Sequence, residues 1–276
     1  MQKIPISTAH LLLPLEQKLI SLLRSLTAEE WQLRSIAGSW TVKDIAAHLL
    51  DGNLRTLSML RDHYAGDPPK VINSNDDLVA YLNRLNADWV QAMKRVSPQV
   101  LTDWLEETGQ AYVTLVTQGD PFADAVFAVS WAGETVSPQW FHQAREYTER
   151  WHHQQQIRDA VNKPGMMEHD FYYPVLDTFM RALPHTYRAT PAARGTVVQV
   201  SIKGEGAGEW FLTKYDEWVL SKTNNETVTA HCSIDGAVAW KLFTKSWRAD
   251  RIREYIKLEG DIALAEVALN MISVMA

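Results

Sequence analysis

Between positions 142 and 153 the chain places His142, Glu146, Glu149 and His153 at offsets of four, seven and eleven residues. At about 100° per residue, all four fall in one narrow stripe of an α-helix. A solvated helix face produces similar offsets, but such faces favour Lys, Arg and Glu over paired histidines. Within the stripe, Glu149 and His153 form an i,i+4 pair, so a carboxylate oxygen and an imidazole nitrogen can meet one ion. A third ligand must come from another element. His48 suits that role, on the flank of a stripe of Val42, Ile45 and Leu49; for that residue alone, a core histidine bonded to a backbone carbonyl is the competing reading.

Three protein ligands leave positions for water or substrate, the open arrangement of a catalytic divalent-metal site. Zinc is the first expectation, with nickel and other first-row ions open. His142 and Glu146 are the candidates for orienting a water, relaying a proton or bonding a ligand. His152 is turned about 100° from His153 on a helix and is expected to be structural.

These residues need helices to position them. Apolar side chains at helical spacing predict a first helix over 11–26. A second is expected over 42–64, with Thr41 as N-cap and Asp44 completing a capping-box-like pair. A third runs from an Asn75 cap to about 96. Residues 111–130 read as an irregular or partly extended crossover. A fourth long helix runs from Pro138 to about 161, with Ser137 as its cap and NKPG as its stop. Four helices with one long crossover make a bundle, because each needs a partner for its apolar stripe.

Beyond the bundle the pattern changes. A helix over 171–185 precedes short alternating runs at 195–202, 208–213, 217–222 and 226–234, punctuated by Gly204, Gly206, Gly208 and Asn224–Asn225. These predict an antiparallel sheet. Helical spacing returns at 236–244, 248–254 and 261–274, so the expected organisation is a bundle over 1–168 and a smaller α+β domain over 169–276.

Composition narrows the function classes. The chain has 276 residues, 46% of them hydrophobic and 22% charged, enough apolar side chains for two cores. A net charge of −6 provides no global field for phosphate backbones, so nucleic acid is not an expected partner. No apolar run approaches membrane-spanning length and no secretory leader is recognisable, which points to a cytoplasmic protein without a membrane partner. The single cysteine, Cys232, lies in an apolar-alternating run and is expected to be a buried strand thiol rather than a nucleophile. Eleven tryptophans are expected to fill cores. Oligomeric state stays open, a homodimer included.

The segments GSWTVKDIAAHLLDGN (38–53) and AREYTERWHHQQQIRDAVNKPG (144–165) resemble the two signature helices of the DinB-like metalloenzyme superfamily. More narrowly, they are similar to its branch of mycothiol-dependent maleylpyruvate isomerases. The tail KLEGDIALAEVALNMISVMA (257–276), with the strands before it, is similar to that branch's sterol-carrier-like C-terminal domain. The resemblance implies a DinB-like four-helix bundle, and His48, Glu149 and His153 as metal ligands. It also implies an imported low-molecular-weight thiol that becomes a thiolate at the metal and attacks a small electrophilic substrate, giving a transferase or isomerase. Arg248 and Lys257, from a run that also holds Arg251 and Arg253, are the candidates for receiving a substrate carboxylate. A metal-dependent hydrolase, and a non-catalytic protein binding metal or a small ligand, are the alternatives.

Overall fold

The computed structural model describes residues 2–69 and 71–274. Nine α-helices and five strands are found among them: α1 (Ala9–Arg24), α2 (Val42–Thr56), α3 (Asn75–Met93), α4 (Pro98–Thr117), α5 (Gln139–Val161), α6 (His169–Phe179), α7 (Leu183–Tyr187), β1 (Val197–Lys203), β2 (Gly208–Lys214), β3 (Trp218–Ser221), β4 (Ala230–Asp235), α8 (Gly236–Phe243), β5 (Ile256–Gly260) and α9 (Ile262–Glu266). The helix-rich N-terminal region and C-terminal α+β region match the fold class expected from the sequence. Contacts divide the described chain into two compact units, one of residues 8–120 and 149–164, the other of residues 2–7, 121–148 and 165–274. The chain of α5 therefore contributes to both.

The helical unit has one continuous core. Leu19, Leu22 and Leu23 of α1 meet Ile45, Ala46 and Leu49 of α2, Leu101 and Leu105 of α4, and Ile157 and Val161 of α5. These four helices build the bundle, and α3 packs against it through the partly buried Trp89 and Met93. Trp89 also donates its indole N–H to the carbonyl of Ala47 at 2.8 Å, tying α3 to the turn that carries His48.

Local chemistry explains where α2 begins. The Thr41 hydroxyl accepts the Asp44 amide at 3.3 Å and the Asp44 carboxylate accepts the Thr41 amide at 2.9 Å, the reciprocal capping box. The helix does not run unbroken to residue 64. It passes into a π-helical turn over Leu57–Arg61, in which a backbone bond of wider span replaces the α pattern. Residues 98–117 form α4, so the first part of the crossover expected over 111–130 is helical instead. The cap is Ser97, whose hydroxyl accepts the Val100 amide at 3.3 Å, with Pro98 at the first helical position. Ser74, rather than Asn75, caps α3. Ser137 does not serve α5; its hydroxyl accepts the Val129 amide at 2.8 Å instead.

In the other unit the strand order is β3-β2-β1-β4-β5. Every neighbouring pair is antiparallel except β1 and β4, which run parallel with Val200 opposite Cys232. The inward residues Val198, Val200, Ile202, Leu212, Cys232 and Ile234 are buried together with Tyr172, Val175, Leu176 and Phe179 of α6. The Tyr172 hydroxyl donates to the Gly236 carbonyl at 2.8 Å. The edge strand β5 lies between the helices expected over 248–254 and 261–274.

Candidate metal centre

In the helical unit, α2 carries His48 and the second half of α5 carries Glu149, His152 and His153. The His48 and His153 rings meet edge to face with centroids 4.7 Å apart. On α5 itself, Glu149 Oε2 lies 3.7 Å from His153 Nε2. That separation is too long for a hydrogen bond. It is close to the roughly 3.4 Å that separates two ligands bound at about 2.1 Å in a tetrahedral site.

Burial prepares these imidazoles as ligands. Desolvation holds His48 well below the usual histidine range, and nearby His153, Arg55 and Arg150 push the same way against the contribution of a side-chain bond to Asn86. Desolvation likewise brings His153 down to about 4 against the contribution of its bond to Gln156. Both rings are therefore neutral at neutral pH, the form that binds a metal. His48 Nδ1 is buried without a hydrogen-bond partner among the described residues. An orphaned ring nitrogen in a protein interior costs free energy unless something occupies it. The donor set of one carboxylate and imidazoles thus fits a divalent first-row ion.

His152 is the difference from the sequence reading. Helical geometry turns its Cα–Cβ bond about 100° from that of His153, yet the two rings lie only 4.0 Å apart by centroid. Ligand atoms of Glu149, His152 and His153 all lie within 4.8 Å of one another. The side chain's reach offsets its position on the wheel. Two further residues were not singled out as site residues. Trp40, the last residue of the turn before Thr41, sets its indole 5.1 Å from His48 and 6.4 Å from His153. Gln156, one turn after His153, places Oε1 2.9 Å from His153 Nδ1.

Beneath the histidines lies a buried polar cluster that fixes the register of α5. The Arg150 guanidinium is paired with Glu16 of α1 and Asn53 of α2 and lies 3.6 Å from the centre of the Tyr112 ring on α4. Asn53 passes the chain of bonds to the Thr108 hydroxyl at 2.9 Å. Gly109 admits this arrangement, since a Cβ there would stand 3.0 Å from Glu16 Oε2.

The remaining sequence-derived candidates fall in the other unit. His142 is buried, with Nε2 3.8 Å from Glu146 Oε1. Glu146 is also paired with Arg145 at 2.5 Å. Burial lowers the His142 pKa, the Glu146 charge opposing the shift and Arg145 reinforcing it. Arg248 is exposed beside Asp250 at 4.0 Å, and Lys257 is exposed beside Glu259 at 2.9 Å. No helix among the described residues is long and apolar enough to cross a membrane.

Residues 12–158, more than half of the chain, match the family described as the mycothiol maleylpyruvate isomerase N-terminal domain. Two solved structures share the fold: the mycothiol-dependent maleylpyruvate isomerase, at 12% identity, and a histidine-to-alanine mutant of that enzyme, at 10%. Each superposes with a TM-score of 0.53 over 94% of this chain and 96% of the other. No curated protein matches the sequence.

Proposed function

The chain belongs to the mycothiol maleylpyruvate isomerase N-terminal domain family, and from that premise we propose that it is a metal-dependent isomerase or transferase that joins a low-molecular-weight thiol to a small electrophile. The observations that carry this reading are the edge-to-face contact of the His48 and His153 rings and the 3.7 Å between Glu149 Oε2 and His153 Nε2, with His48 Nδ1 buried and without a hydrogen-bond partner among the described residues. His48, Glu149 and His153 would hold the ion, zinc first among the candidates. When bound, a divalent ion lowers the pKa of a thiol that it coordinates, supplying a nucleophile near neutral pH.

The chain's own residues supply the setting. Trp40 screens the two histidines on one side with an apolar ring, which strengthens charge interactions there by excluding water. Arg150, locked by Glu16 and Asn53, holds the turn of α5 that presents Glu149 and His153. Cys232 offers no competing nucleophile: burial pushes its thiol up to about 12, and it lies on a strand of the other unit. The thiol is therefore imported. His142 and Glu146 keep the acid–base assignment, and Arg248 and Lys257 the carboxylate assignment, as proposals that rest on residue type.

The test is zinc content and turnover measured together, with mycothiol or another small thiol as co-substrate and maleylpyruvate among the electrophiles. The reading expects one metal per chain and turnover that both disappear in His153→Ala. Full turnover by metal-free protein overturns it. Tight metal binding without turnover on any thiol and electrophile pair favours a binding protein.

A further inference from the structure

His153 has two ring nitrogens in different surroundings. Nδ1 lies 2.9 Å from Gln156 Oε1, while Nε2 faces Glu149 Oε2 at 3.7 Å. Gln156 and His153 are both buried, at 4% and 8% exposure, so the Gln156 amide is the partner that the protein itself supplies to Nδ1. A carbonyl oxygen only accepts, so the nitrogen that meets it must carry the hydrogen. A neutral imidazole has one N–H, and Nε2 is then left with its lone pair. Turning the amide around would place the hydrogen on Nε2, where Glu149 Oε2, at 3.7 Å, is beyond hydrogen-bond distance.

We propose that Gln156 is a positioning residue of the metal centre: it fixes His153 as the Nδ1–H tautomer and so aims the Nε2 lone pair at an ion shared with Glu149. The inference rests on the metal-centre reading above and deepens it. The choice of an amide also matters for charge. One carboxylate and two neutral imidazoles leave a divalent ion with a net positive charge, which favours an anionic sulfur ligand. A carboxylate at position 156 would bond the same N–H but cancel that charge. Gln156 thus serves the ligand geometry without weakening the pull on a thiolate.

Three measurements test this. In metal-free protein at neutral pH, nitrogen NMR of the imidazoles should show His153 protonated at Nδ1 and bare at Nε2. Gln156→Leu should keep its helical circular dichroism and bind zinc about 10- to 100-fold more weakly, the usual effect of losing such a partner. Gln156→Glu should retain zinc affinity yet bind 2-mercaptoethanol more weakly in the cobalt-substituted protein, read from the sulfur-to-cobalt absorption. A purely structural glutamine would not separate those two affinities. An Nε2–H tautomer, or a folded Gln156→Leu with unchanged zinc affinity, overturns the role of Gln156 while leaving the metal centre standing. Failure of the unmodified protein to bind zinc overturns the metal-centre reading itself.

Discussion

The rings of His48 and His153 meet at 4.7 Å although 105 positions separate them in the chain, one on α2 and one on α5. Both are pushed towards the neutral form by burial. Bringing two such groups together costs desolvation, and the bundle retains the arrangement.

That cost gives a pH dependence. Above about pH 6.5 neither folded nor unfolded protein protonates His153, so its full stability is present. As pH falls from 6.5 towards about 4, the unfolded chain binds a proton that the folded chain refuses, and stability declines. The loss reaches at most about 3 kcal/mol for this residue and levels off below its folded pKa. Denaturant melts of metal-free protein should show a steeper decline over that window than melts of His153→Gln. Parallel curves would contradict the assignment.

The buried pair of Arg150 and Glu16 makes a separate prediction. Both side chains are about 5% exposed, so Glu16→Ala leaves a cation inside the bundle without its main counter-charge. A loss of about 3–5 kcal/mol is expected in equilibrium unfolding. A loss below about 1 kcal/mol would show that Asn53 and Tyr112 suffice for Arg150.

How much of this was legible beforehand differs from element to element. The capping box at Thr41 and Asp44 could be read directly, because a cap is local and its partners are three residues apart. The Glu149 and His153 pair was legible for the same reason. Helix α4 was not: Ser97 and Pro98 look like the end of α3 but begin a new helix, and its interior Gly109 and threonines weaken the helical signal. The adjacency of His152 to the site was also hidden, since a helical wheel fixes Cβ directions and not where a ring comes to rest. Strand β5 is only five residues long and owes its conformation to pairing with β4, a contact made in space.

Capping should have a measurable share in holding His48. Thr41→Ala removes the hydroxyl that accepts the Asp44 amide and should cost about 1 kcal/mol of stability. Thr41→Ser should recover most of it. Equal stability of the alanine and serine variants would mean that α2 is fixed by its packing alone.

Cys232 should be inert in the native protein. Its thiol is fully buried opposite Val200 and pushed up to about 12, so a bulky disulfide reagent at pH 8 should react only after denaturation. Rapid labelling of folded protein would contradict the packing of the sheet.

The central claim is that His48, Glu149 and His153 hold one divalent ion. Anomalous diffraction at the zinc edge from crystals grown with zinc tests it most directly. One peak per chain is predicted, about 2.0–2.2 Å from a nitrogen of His48, an oxygen of Glu149 and Nε2 of His153. A structure with no peak among these residues, or with the ion held by Glu149, His152 and His153 and out of reach of His48, would contradict the account.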